Sequence, residues 1–240
     1  MNVNVRERRD ARWIPLSLYV HIPWCLRKCP YCDFNSYAAG AEPLPQDAYV
    51  NALLADLSAQ IELFAPQRPI VSVFFGGGTP SLFAPAAIAR VLDGARALLP
   101  FASDVEITLE ANPGTIERGR FAEYRSAGIN RVSLGAQSFD AELLRRLGRI
   151  HGPHEIVRSA EELHAAGLVN FNIDLMYGLP GQTVEQALAD IGQARALAPR
   201  PRSQYQHTRE PGPDVAARPP RVPPPALLDA MREAGRARWA

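Results

Sequence analysis

Cys25, Cys29 and Cys32 are the only cysteines among 240 residues, and all three lie in the run HIPWCLRKCPYC. Their C-x3-C-x2-C spacing puts three thiolates on one loop, which suits three corners of a 4Fe-4S cube whose fourth iron is left for a small molecule. A structural zinc site, with His21 or Asp33 as fourth ligand, draws on the same residue types. Two observations weigh against zinc: there is no second cysteine pair, and the loop directly follows an apolar, strand-like run over 16–22. An odd number of cysteines packed this tightly disfavours disulfides, so a reducing, cytoplasmic setting is expected.

Further residues with chemical potential stand where apolar runs hand over to loops. The run Gly76-Gly77-Gly78-Thr79-Pro80 lets backbone N–H groups approach an anion, or makes only a turn. Glu110 in LEANPG and Gln137 in LGAQSFD close two other runs, and Asp174 lies inside NFNIDLMYGLPG, where an unpaired carboxylate is costly. Singly, each reads as a satisfied core polar group. Together, beside a three-cysteine loop, they read as a site.

Elements must position these residues. Apolar runs over 16–22, 70–75, 104–111, 131–136, 170–177 and 203–208 alternate with segments of helical period, the pattern of six βα units around a parallel sheet. Several of the runs read as nearly continuous hydrophobics, as buried parallel strands do. Pro45 opens the first helix, whose core stripe is Val50, Leu53, Leu54, Leu57, Ile61 and Phe64. Gly128 and Gly167 read as helix stops, and Thr183 with Gln186 as a capping box. In such folds the loops after the strands' carboxyl ends converge on one mouth, where the residues above fall.

The formal net charge is +1, arginines are spread along the chain, and Lys28 is the sole lysine. Nothing here supports a nucleic-acid partner or a polybasic membrane anchor. The opening MNVNVRERRDARW lacks an apolar stretch and no run approaches the length of a membrane span, so no membrane partner is expected.

The segments YVHIPWCLRKCPYCDFNSY, FFGGGTPS, LEANPG, INRVSLGAQSFD, LGRIH and NIDLMYGLPGQT, in this order over residues 16 to 183, resemble the radical SAM family in its oxygen-independent coproporphyrinogen III oxidase-like branch. Asp33-Phe34-Asn35 after the third cysteine resembles the heme chaperones of that branch; the true oxidases carry a further cysteine where Phe34 stands. The series favours a cluster over zinc. What it implies is an α/β fold, a partial (β/α)6 TIM-like barrel of the radical SAM type over 16–208, with an extension over 1–15 before it. After it comes a Pro/Arg-rich tail over 209–240 with a short helix from Ala226 to Trp239.

The resemblance further implies a 4Fe-4S cluster on Cys25, Cys29 and Cys32, with S-adenosylmethionine (SAM) chelating the open iron and cleaved by one electron to a 5'-deoxyadenosyl radical. Glu110 matches the acceptor for the SAM ammonium and Arg149 the partner of its carboxylate. Gln137 and Asp174 suit ribose hydroxyls, and Tyr31 is placed to flank adenine. Tyr19, Gly77, Gly78, Thr79 and Thr208 fall on further matching positions. His21 reads as a hydrogen-bonded support for the loop, with heme ligation the lesser alternative. Heme is the implied cargo, heme-acceptor proteins and an electron donor the implied partners. Coproporphyrinogen III decarboxylation, which Phe34 disfavours, and a non-catalytic remnant, which the lack of the family's region covering the barrel mouth favours, stand as alternatives.

Overall fold

Six strands alternate with helices along the chain: β1 (Leu16–Ile22), β4 (Ile70–Gly77), β5 (Phe101–Ala111), β6 (Arg131–Gln137), β7 (Phe171–Tyr177) and β8 (Arg202–Gln206). The computed structural model describes residues 14–66, 68–114, 120–197, 202–207 and 223–239. All six strands pair in parallel, and their order in the sheet, β1-β4-β5-β6-β7-β8, repeats their order in the chain. The sheet curls into an open partial barrel with β1 and β8 as its edges.

Helices α1 (Gln46–Phe64), α2 (Pro85–Leu98), α3 (Arg120–Ser126), α4 (Ala141–Arg146), α5 (Pro153–Ala165) and α6 (Val184–Leu197) connect the strands. A last helix, α7 (Pro225–Trp239), packs on α6 and β7, where Met231 joins Tyr177 and Ala187 in a small apolar cluster. Thr208 and residues 209–222 of the proline-rich tail lie outside the described residues.

The predicted strands are present, with ends that shift by up to three residues. β4 runs on through Gly76 and Gly77, and β5 begins at Phe101, directly after Pro100. Along β6 and β7 burial is nearly continuous, as the apolar runs suggest, although the two faces differ in what they meet. Val73, Phe75, Ile107, Leu109, Val132, Leu134, Ile173 and Leu175 face the helices and are fully buried. Their neighbours on the other face, among them Glu110, Ser133, Gln137, Asp174 and Tyr205, line a cavity inside the curl. Successive strand residues point to opposite faces, so each strand serves the core with one face and the site with the other.

Helix boundaries follow the expected signals. Gly128 and Gly167 take left-handed φ of 109° and 72° after α3 and α5. Thr183 and Gln186 exchange both bonds of the capping box at 2.9 and 3.2 Å. Pro45 caps α1, whose stripe packs on the core through Val50, Leu53, Leu54, Leu57 and Ile61. Phe64 departs from the stripe and is 72% exposed, because the helix's last turn ends beside the edge strand β1 with no element beyond it, among the described residues, to pack on.

Candidate functional site

The cysteine loop is anchored at both ends. Trp24–Cys25 (β2) pairs in parallel with Tyr37–Ala38 (β3), and the Tyr37 and Ala39 amides donate to Pro23 O at 2.8 Å and Cys25 O at 2.7 Å. Between them Cys32 N–H donates to Cys29 O at 3.0 Å, turning the chain so that all three thiols face one cavity. Lys28 crosses the loop: its ammonium donates to Phe34 O at 3.0 Å and Ser36 O at 3.1 Å. The Tyr19 hydroxyl donates to His21 Nδ1 at 3.1 Å, and His21 Nε2–H donates to Asn35 O at 2.9 Å. His21 is thus the hydrogen-bonded support expected of it, with neither ring nitrogen left for a metal.

The glycine run holds the loop from below. Gly78 N–H donates to Ile22 O and Thr79 N–H to Trp24 O, each at 2.8 Å. A Cβ on Gly78 would lie 2.6 Å from Trp24 O and 2.8 Å from Pro23 O, a backbone-to-backbone approach that only glycine permits. The third amide, Gly77 N–H, donates to Glu110 Oε2 at 3.2 Å. The run therefore spends two amides on the cysteine loop and one on a carboxylate.

The strand ends supply the rest. Glu110 lies in the cavity wall, and burial, with a smaller push from Asp174, raises its pKa to about 7 despite the Gly77 bond. Asp174 accepts from Ser133 Oγ at 2.6 Å, from Asn172 Nδ2 at 2.7 Å and from Ser203 Oγ, which offsets part of the burial that raises its pKa. The Gln137 carboxamide accepts the Tyr205 hydroxyl. Arg149 donates to Asn112 Oδ1 and Gly135 O, and its Nη1 lies 3.6 Å from Cys29 Sγ and 3.5 Å from Tyr31 Oη. Arg149 Nε is buried and has no partner among the described residues, a donor left open.

These groups share one cavity of about 580 Å3, bordered by Cys25, Cys29, Cys32, Tyr31, Gly78, Thr79, Glu110, Gln137, Arg149 and Asp174. That is the size of a site for a small molecule. Tyr19 and Gly77 do not border it: Tyr19 is exposed and stacks on Phe74, whose ring centroid is 6.3 Å away and which faces the cavity. Tyr31 packs on Leu143, Leu147, Met176 and Leu179 and turns its hydroxyl to Arg149. Asn112 and Tyr205 escaped the sequence reading. Asn112 joins Thr79 Oγ1, at 2.9 Å, to Arg149, and its signal was its place two residues after Glu110 in LEANPG.

No three His, Cys, Asp or Glu side chains among the described residues close on a single point as the ligands of one ion do. A cube, which takes each sulfur on a different iron, needs a wider spread than that. Three thiols, an open guanidinium N–H and a carboxyl poised near neutrality suit an iron–sulfur cluster beside a ligand with a carboxylate and an ammonium.

Residues 19–193 match the family model described as the radical SAM superfamily. The chain belongs to the radical SAM superfamily. Among radical SAM relatives it is 54% identical to the heme chaperone HemW of Escherichia coli over 209 residues, 87% of this chain and 55% of that one. It is 37% identical to the mouse mitochondrial radical S-adenosyl methionine domain-containing protein 1 over 225 residues, 92% of this chain and 50% of that one. Among solved structures, coproporphyrinogen III oxidase (HemN) from Escherichia coli, a radical SAM enzyme, superposes with a TM-score of 0.82 at 31% identity, covering 93% of this chain and 52% of that one. The chain spans about half the length of the curated relatives it matches. Among the described residues no helix is long and apolar enough to cross a membrane.

Proposed function

We propose that this chain forms the cluster- and SAM-binding half of a cytoplasmic heme chaperone, which receives heme and passes it to acceptor proteins. The observation that carries the reading is the convergence of three thiols, Glu110 and Arg149 on one cavity. Cys25, Cys29 and Cys32 would hold a 4Fe-4S cluster. Glu110 would accept the SAM ammonium, Arg149 Nε and Nη1 would donate to its carboxylate, and Gln137 and Asp174 would take ribose hydroxyls. Tyr31, Gly78 and Thr79 border the same space, Tyr19 and Gly77 support it, and Thr208 completes the set carried over from the family. When bound, the cluster and SAM supply reductive cleavage of a carbon–sulfur bond, with the electron drawn from a donor protein.

This chain's own residues bind and orient. Asp174 is held by three neutral donors before any ligand arrives, so it meets hydroxyls without reorganisation. Arg149 is fixed through Nη2 by Asn112 and Gly135, which leaves Nη1 beside Cys29 and Tyr31 at the cavity wall.

The likeness to HemN favours a second reading, oxidative decarboxylation of coproporphyrinogen III. Against it stands Phe34, 58% exposed at the cavity rim where the oxidases carry a further cysteine. One experiment separates the readings: heme titration of the anaerobically reconstituted protein, followed by absorbance and gel filtration, with coproporphyrinogen turnover assayed in the same sample. Heme that co-elutes without turnover supports the chaperone. Turnover supports the oxidase, and cluster and SAM binding without heme would place the heme site outside these 240 residues.

A further inference from the structure

Gln137 is one of two non-glycine residues among those described with a left-handed backbone, at φ 72°. Ser138 N–H donates to Ala136 O at 3.0 Å, closing a three-residue turn around it. A turn of this hand with a side chain at its centre is strained, and it persists only where its surroundings over-determine it. Two buried side chains do so here. His151 Nε2–H donates to Ala136 O, the turn's own carbonyl, at 3.1 Å. Asp190, on α6, accepts from Phe139 N–H at 2.6 Å and Ser138 Oγ at 2.8 Å.

Neither residue faces the cavity, and neither has a part in binding as described above. Both are costly to bury. Desolvation raises Asp190 to about 6 and lowers His151 to about 4, leaving His151 a neutral imidazole whose Nδ1 is buried without a partner among the described residues. Asp190 also receives Gln182 Nε2 at 3.5 Å, and Gln182 Oε1 accepts Leu179 N–H at 3.2 Å. The same carboxylate therefore ties the loop after β6 to the LPGQT loop after β7.

We propose that His151 and Asp190 are positioning residues: they hold the strained turn at Gln137 and so aim its carboxamide, with its Tyr205 partner, into the cavity. The ligand arm of the test rests on the SAM reading proposed above, whereas the backbone arm does not. The variants are Asp190→Asn, which sets an amide N–H2 against part of its three donors, His151→Leu, which removes the donor to Ala136 O, and His151→Gln, which keeps one.

In the ligand-free protein, hydrogen exchange of the peptide spanning residues 131–140 should quicken in Asp190→Asn and His151→Leu, and return toward wild type in His151→Gln. In the reconstituted protein, with iron content unchanged, the SAM Kd should rise about tenfold in the first two, the equivalent of about one hydrogen bond. On a Gln137→Ala background the same changes should move Kd by less than about twofold, since the group they aim is gone. Unaltered exchange in both variants would overturn the proposal, as would a tenfold loss that persists on the Gln137→Ala background. Failure of the wild type to bind SAM would sink the cavity's reading alone and leave exchange to decide the turn. If Asp190→Asn does not fold, the His151→Leu and His151→Gln pair carries the comparison.

Discussion

The Gly77 amide reaches Glu110 Oε2 at 3.2 Å and so joins the ends of β4 and β5 at the cavity wall. One N–H is too little to offset burial, and the carboxyl sits near neutrality with a pKa of about 7. The folded value lies above the usual 4.5, so the folded protein keeps a proton that the unfolded chain releases. This group's contribution to stability is therefore fully present below about pH 4.5 and is lost as pH rises toward 7, by up to about 3 kcal/mol. Asp190 and Asp174, both raised, act in the same direction, and His151, lowered to about 4, acts against them below about pH 6.5. Glu110→Gln should flatten the slope, read from urea midpoints at about pH 5 and about pH 7.5. An unchanged slope in that variant would place the titration elsewhere.

Ligand binding should run the same equilibrium in reverse. A cation set against Glu110 favours its carboxylate, so SAM should expel about half a proton per site near pH 7. Calorimetry in buffers of different ionisation enthalpy measures this directly. Proton uptake, or release that survives Glu110→Gln, would contradict the assignment of the ammonium to Glu110.

Lys28 bridges Phe34 O and Ser36 O across the cysteine loop and touches no sulfur. Its removal should leave the ligands present and loosen their frame. Lys28→Met is expected to release iron to a chelator several-fold faster than wild type, and Lys28→Arg to recover most of the difference. Equal release rates in all three proteins would show that the loop holds its shape without the brace.

Gly78→Ala forces a methyl against the carbonyls of Pro23 and Trp24. Neither is a flexible side chain that can give way, so the strand end must move from the loop, at about 1–3 kcal/mol. Lower thermal stability together with poorer cluster incorporation is expected, measured by calorimetry and iron content. A variant with wild-type stability would mean that β4 and the loop shift apart freely.

Gln137→Gly should do the opposite to stability. Glycine accepts a left-handed backbone without strain, so the melting midpoint should rise by the equivalent of about 1 kcal/mol while SAM affinity falls with the lost carboxamide. A midpoint that falls would mean that the Tyr205 contact outweighs the strain.

The sequence read well where chemistry and spacing coincide. Cys25, Cys29 and Cys32 border the cavity as a set, and Glu110, Gln137, Arg149 and Asp174 arrive there from separate elements. Tyr19 was harder, because its position before the loop resembles a contact residue whereas the fold turns its hydroxyl to His21. Asn112 and Tyr205 were missed because their roles lie in partners far along the chain: Arg149 is 37 residues from Asn112, and Gln137 is 68 from Tyr205. The turn at Gln137 carries no mark at all, since glutamine is an ordinary residue and its supports come later, His151 from the loop before α5 and Asp190 from α6. Phe64 shows the converse, a periodic residue whose helix outruns the surface it packs on.

Strand order in the sheet repeats strand order in the chain, so each new unit can join only the edge left by the one before it. During synthesis the three thiols emerge after the first strand, while Arg149, which comes to rest beside Cys29, follows 120 residues later. At about 5–20 residues per second, that interval is about 6–24 s. For those seconds the nascent chain offers reduced sulfur to oxidants before its guanidinium partner has left the ribosome.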